Sequence, residues 1–94
     1  MYIPSAGDKK LERLHYKTQI YEKAFHKYCE KLKKLGKGVI LCGDFNVCHD
    51  EIDIHFTPFS YKQPGFTPEE RKSFNNFLKM GWIDTYRKLN PEKK

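Results

Sequence analysis

Val39-Ile40-Leu41-Cys42 is the longest apolar run in the chain, and it constrains everything around it. Four consecutive apolar residues followed at once by Gly43-Asp44-Phe45-Asn46 predict a short strand covered on both faces. Such a strand is central and needs a neighbour on each side. The remaining sequence offers little. Tyr2-Ile3-Pro4 reads as the end of a strand, stopped by Pro4, and Ser5-Ala6-Gly7-Asp8 reads as a turn. Met1 looks more like an apolar strand residue than a true start. A chain of 94 residues allows one small domain. The expectation is that sheet partners lie outside this sequence. Residues 1–94 then form an internal segment of a single larger domain, with the flanking N- and C-terminal parts missing.

The other elements read as helical. Leu14, Tyr21, Phe25, Tyr28, Leu32 and Leu35 recur at three- and four-residue steps and predict one apolar stripe, with Gly36 as the stop. Asp50 to Gly65 holds two prolines, several aromatics and little periodicity, so it predicts a long surface loop of the functional kind. Thr67-Pro68-Glu69-Glu70 is a helix start: Thr67 caps, Pro68 suits the first helical position, and Glu70 closes a capping box. Phe74, Phe77 and Leu78 form that helix's inner face, and Gly81 ends it. A short helical turn through Tyr86 and Leu89 follows, stopped by Asn90-Pro91.

Charge narrows the partners without naming one. The formal net charge is +6, which favours polyanions. The run Lys31, Lys33, Lys34, Lys37 is better read as the solvated face and dipole-compensating end of a helix. No apolar run approaches the roughly 20 residues that cross a bilayer, and no basic-then-apolar leader opens the sequence. Three cysteines, Cys29, Cys42 and Cys48, without paired spacing argue against a disulfide framework. An intracellular, reducing location is therefore expected.

Gly43-Asp44-Phe45-Asn46 carries the chemistry. It leaves the carboxyl end of the predicted strand, where α/β folds place ligands. In an extended segment, residues two apart face the same way, so Asp44 and Asn46 are expected to point together with Phe45 opposite. A carboxylate and an amide oxygen are hard ligands suited to magnesium rather than zinc or copper. Asx-turn geometry, with both side chains bonding the local backbone, explains the same residues. On these four residues alone the two readings weigh equally.

Other clusters weigh less. Cys42, Cys48, His49 and His55 lack the spacing of a zinc site. His49 reads as a structural hydrogen-bonding residue beside the loop. Phe56, Phe59, Tyr61 and Phe66 near Lys62 offer a stacking surface for nucleic acid, although packing within the loop explains most of them. Phe74 and Trp82 read as core.

Taken in order, several motifs shift the balance. Tyr2-Ile3-Pro4, then Arg13 and Tyr16, then Leu41-Cys42-Gly43-Asp44-Phe45-Asn46-Val47 lead to His49-Asp50-Glu51-Ile52-Asp53. Gly65-Phe66-Thr67-Pro68-Glu69-Glu70-Arg71 and Asp84-Thr85-Tyr86-Arg87 complete the set. Together they resemble the exonuclease III-type apurinic/apyrimidinic (AP) endonucleases over nearly the whole chain. The Gly-Asp-x-Asn element alone is shared across the endonuclease/exonuclease/phosphatase superfamily. The Glu51-Ile52-Asp53 and Gly65-Phe66-Thr67-Pro68 elements are more specific to its repair branch.

The resemblance implies an α/β fold, here the central segment of the DNase I-like α/β sandwich. It implies a magnesium-dependent phosphodiesterase, with manganese as an alternative ion. Such an enzyme cuts duplex DNA at abasic sites and trims 3′ ends, in base excision repair, which implies the nucleus in a eukaryote and the cytoplasm otherwise. By the same resemblance, Asp44 matches the catalytic aspartate that positions or deprotonates water. Asn46 matches the asparagine that orients that water and steadies the phosphate, and Tyr2 the tyrosine that contacts the scissile phosphate. Tyr2, Ser5 and Asn46 fall at substrate-binding positions, and Asp44 and Asn46 at the metal.

The sequence departs from the family pattern in places. Ser5 replaces the usual asparagine of Tyr-x-Pro-Asn, Cys48 a usual alanine, and Pro64 precedes Gly65 where a small residue is common. The family's metal-binding glutamate falls before Tyr2 and its closing Ser-Asp-His after Asn90, so neither maps here. The segment by itself is therefore expected to be inactive. Two alternatives remain: an inositol phosphatase-like enzyme of the same superfamily, and a non-catalytic nucleic-acid-binding remnant.

Overall fold

The computed structural model describes residues 1–8, 10–55, 57 and 59–93. A π-helical segment, Tyr16–Tyr21, runs without a break into α1, Glu22–Lys33. Two 3-10 turns follow, Glu51–Asp53 and Ser60–Lys62, then α2, Pro68–Lys79, and α3, Thr85–Leu89. The described residues contain no strand. Their one extended pairing is an isolated parallel bridge between Tyr2 and Asp44.

The strand predicted at Val39–Cys42 does not form among the described residues; its sheet partners are expected outside this sequence. Residues 38–42 form no regular element and no ladder. Val39 and Leu41 are half-buried, whereas Ile40 is 88% exposed and Cys42 is exposed. One face of the segment is thus covered and the other open, where burial on both faces was expected. The reason is pairing. A strand exists only through its neighbours, and the isolated bridge among the described residues meets this stretch at Asp44. There Ile3 N–H donates to the Asp44 carbonyl at 2.8 Å, and Asp44 N–H to the Met1 carbonyl at 3.2 Å. Gly43 makes that approach feasible. Its φ is +147°, and a Cβ built there would lie 1.9 Å from the Met1 carbonyl oxygen. The α/β sandwich is accordingly not built by the described residues, which are mostly helical.

The long helix also differs from its predicted phase. It forms where the periodicity put it, and Gly36, at φ +77°, follows its last turn. Tyr28 and Leu35, however, sit outside, Leu35 at 67% exposure. The deeply buried positions are instead Lys17, Thr18, Glu22 and Cys29. The π turn accounts for much of this, because an extra residue in the turn rotates everything before it relative to α1. Thr18 contributes locally: its hydroxyl donates to the Leu14 carbonyl at 2.9 Å, in competition with the backbone ladder.

α2 follows the sequence closely. Thr67 Oγ1 accepts from Glu70 N–H, the Glu70 carboxylate reaches back to the Thr67 N–H, and Pro68 opens the helix. Its Phe74 and Phe77 meet α1 through an aromatic cluster. The His26 ring stacks on Phe77 at 4.5 Å, Phe77 on Trp82 at 5.1 Å, and Phe45 edges onto Phe74 at 6.0 Å. Lys33 donates to the Met80 carbonyl at 2.7 Å, and Trp82 Nε1 to Glu30 at 3.0 Å, which ties the end of α1 to the loop after α2. The Asp50–Gly65 loop is not featureless, since it carries both 3-10 turns. Asp50 and Asp53 form a capping box, and Tyr61 donates to Glu51 at 2.8 Å. Phe56 lies outside the described residues.

Among the described residues, Ile3, Ala6, Cys29, Phe66 and Phe77 are the buried apolar side chains. Ile40, Leu35, Ile83 and Leu89 remain exposed. A core this thin, under this much bare apolar surface, predicts weak cooperativity. The purified 94-residue chain is expected to lose helical and aromatic circular dichroism signals over a broad, non-coincident temperature range. One sharp transition shared by both probes would contradict this account of the packing.

Candidate functional site

The Tyr2–Asp44 bridge brings the two ends of the candidate site together across some forty residues of sequence. Asn46 completes the junction. Its Nδ2 donates to the Ile3 carbonyl at 2.6 Å, so both Asp44 and Asn46 are anchored to the segment that carries Tyr2. Ser5 lines the same cavity as Asp44 and Asn46, a space of about 960 Å³ also bordered by Val39, Leu41 and Phe74. The Ser5 hydroxyl is turned onto its own loop, accepting from Gly7 N–H at 3.2 Å. Tyr2 is 60% exposed, and its carbonyl accepts from the Tyr21 hydroxyl at 3.1 Å.

The expectation that Asp44 and Asn46 project side by side from an extended strand is overturned. Asn46 has φ +50°, a left-handed conformation that asparagine tolerates better than most residues. The Asp44 carboxylate accepts from Asn46 N–H at 2.8 Å. This is the Asx turn that weighed equally in the sequence. It does not remove the two side chains from chemistry, but it changes what aims them: the turn sets their directions, not the pleat.

The turn is held from beneath by groups the sequence did not single out. Lys17, at 0% exposure, donates from Nζ to the Asn46 carbonyl and to Glu70 Oε1, the latter at 2.8 Å. Glu70 is equally buried, and its Oε2 accepts from Gly65 N–H at 2.8 Å, Thr67 N–H at 3.2 Å and Thr67 Oγ1 at 2.8 Å. The Gly65 carbonyl then accepts from Cys48 N–H at 2.7 Å. Arg71, one residue on, donates from Nε to the His49 carbonyl at 2.8 Å, and its guanidinium covers Phe66 at 4.5 Å. His49 keeps to a structural place, with Nδ1 3.4 Å from Asp50 and its ring edge on Phe74. Farther along, Asp53 pairs with Arg87. Glu70 was legible only as half of a capping box. Nothing in the helical spacing marks Lys17, which the π turn brings inward.

The donor set does not make a magnesium centre by itself. Among the described residues, no three His, Cys, Asp or Glu side chains stand together as a cation cage. Asp44 has one oxygen engaged by the turn, and magnesium needs further oxygen ligands than a carboxylate and an amide supply.

One more buried acid lies near the pair. Glu22 is buried, its Oε1 has no hydrogen-bond partner among the described residues, and burial pushes its carboxyl above the usual range. The negative charge of Glu70 adds to that rise, while the Ser73 hydroxyl and Lys17 oppose it. A carboxyl raised in the folded state stabilises the fold at acid pH, and that contribution disappears as pH climbs through the folded-state value. Glu22→Gln is therefore expected to raise the temperature of half-loss of helical signal at pH 7 and to leave it nearly unchanged at pH 4. An equal effect at both pH values would mean that burial does not perturb this acid.

No family model matches the chain. Curated relatives do, over almost all of it. It is 48% identical over 92 residues, 98% of its length, to the DNA-(apurinic or apyrimidinic site) endonuclease of Dictyostelium discoideum. It is 40% identical over 94 residues to recombination repair protein 1 of Drosophila melanogaster. It is 38% identical over 92 residues to an exodeoxyribonuclease of Bacillus subtilis. The chain spans 25%, 13% and 35% of the lengths of these proteins, respectively.

Proposed function

We propose that this chain, related along its full length to the exonuclease III-type AP endonucleases, is a segment of a longer DNA-repair phosphodiesterase and contributes part of its active site. The observation that carries the reading is the backbone junction of Tyr2 with the anchored Asp44–Asn46 turn, which gathers the residues that the family resemblance assigns to the attacking water and the scissile phosphate. Relatives named as an apurinic or apyrimidinic site endonuclease and an exodeoxyribonuclease support DNA as the substrate class; abasic duplex and 3′ ends are what the family resemblance implies. The net charge of +6 fits a polyanionic substrate.

In this reading the Asp44 carboxylate takes a proton from water as the water oxygen bonds to phosphorus and the bond to the leaving oxygen breaks. The Asn46 amide orients that water, and the Tyr2 phenol donates to a phosphate oxygen as charge builds there without bringing net charge of its own. Magnesium, or manganese, is taken up only where the longer protein adds oxygen ligands to Asp44 and Asn46, and its contribution is to offset charge on the phosphate. An intracellular site of action, nuclear in a eukaryote, goes with this substrate. A second reading, a nucleic-acid-binding remnant without catalysis, draws support from the engagement of the Asp44 carboxylate within its own turn.

The two readings part on one experiment. In the full-length protein, Asp44→Asn is expected to lower nicking of abasic duplex DNA in magnesium by about 10²–10⁴-fold, as removal of a general base does. Binding of the same duplex should persist, and the isolated 94-residue chain should not nick at all. Activity within a few-fold of the parent would reduce Asp44 to a turn residue. Binding with no nicking by the parent would favour the remnant.

A further inference from the structure

We propose that Lys17 and Glu70 are a positioning pair: a buried ion pair that fixes the backbone of Asn46, and through it the aim of Asp44 and Asn46. The inference rests on the phosphodiesterase reading for its catalytic consequence, but not for its geometry.

Burying two charges is expensive, and apolar residues of similar volume commonly hold a fold as well or better. Stability alone therefore gives little reason for a fully buried ammonium and carboxylate in a small domain. Their contacts point to a different role. Lys17 does not simply neutralise Glu70; the same Nζ also grips the Asn46 carbonyl. Asn46 is one of two non-glycine residues at positive φ among those described. A backbone held in that region costs energy unless its surroundings over-determine it. Here three bonds do so: Lys17 on the carbonyl, Asp44 Oδ1 on the N–H, and the Ile3 carbonyl on Nδ2.

Glu70 extends the hold to a second loop. Its other oxygen gathers the N–H groups of Gly65 and Thr67, and the Gly65 loop packs directly beneath the turn. A Cβ placed on Gly65 would sit 3.5 Å from the Asn46 carbonyl oxygen. One ion pair thus ties the π-helical turn, the Asp44–Asn46 turn and the start of α2 to a common point. Neither Lys17 nor Glu70 reaches solvent, so neither touches substrate. Their effect on reaction passes through Asn46.

The variant that separates positioning from mere support removes both charges together. In K17M/E70Q the glutamine oxygen still serves Gly65 and Thr67, no charge is left unpaired, and the fold is expected to survive. Two readouts follow in the full-length protein. By NMR, the Asn46 backbone and side-chain amide resonances should shift, and the Nδ2 protons should lose protection from exchange. In turnover, kcat on abasic duplex DNA should fall about 10–100-fold with KM little changed, the scale expected when a reacting group is misplaced by about an ångström. A folded K17M/E70Q with parental Asn46 resonances overturns the proposal, as does one with parental kcat when the parent is active. A parent that never nicks abasic DNA defeats the function reading alone, and the Asn46 resonances then decide the positioning role. If K17M/E70Q does not fold, the parent decides: a scalar coupling across the hydrogen bond from Lys17 Nζ to the Asn46 carbonyl carbon supports the clamp, and its absence in the folded parent refutes it.

Discussion

The Lys17–Glu70 ion pair is the interaction on which the rest of the structure leans. Neither side chain sees solvent, so each has surrendered a hydration free energy worth several kcal/mol. The pair recovers this only through its full complement of contacts: the two charges on each other, the Asn46 carbonyl on the ammonium, and three donors on the second carboxylate oxygen. Such a network is all-or-none. Loss of one member leaves a charge buried without its partner, which is far worse than having neither. Glu22, buried nearby with an unpartnered oxygen, sits in the field of both charges.

From that centre the candidate site is assembled outward. The ion pair fixes Asn46, Asn46 reaches the Ile3 carbonyl, and the Tyr2–Asp44 bridge closes the junction. Gly43 is the steric condition for closure, because any side chain there would collide with the Met1 carbonyl. Asp44 and Asn46 line a cavity whose wall also includes Val39, Leu41, Phe74 and Trp82. The site therefore has a rigid polar foundation and an open apolar flank.

What the sequence revealed and what it hid divide along physical lines. The Thr67–Glu70 cap and the Gly36 stop were legible because each depends on a few adjacent residues and a local backbone conformation. Asp44, Asn46 and Tyr2 stand out in the sequence because their motifs resemble, in order, those of a known family, and the structure joins the segments that carry them. The strand at Val39–Cys42 was not a local matter. Its apolar run predicts burial, but pairing is supplied by other segments, and here Ile40 stays bare. The direction of Asn46 was misjudged for a related reason, since alternation holds only while the chain stays extended, and an Asx turn intervenes. Lys17 left no trace because a single π turn shifts which face of a helix is inward, and no periodicity argument anticipates it.

The proposal that this chain forms part of an abasic-site nuclease requires that Ser5 and the Asx turn of Asp44 be compatible with catalysis. The most direct measurement transplants it. The 92-residue stretch of the Dictyostelium discoideum endonuclease that matches this chain is replaced by it, and the graft is assayed on abasic duplex DNA in magnesium. The account predicts that the graft binds the duplex and nicks it at the abasic site. A graft that binds abasic duplex as tightly as the unaltered relative, yet leaves it uncut, would contradict the account.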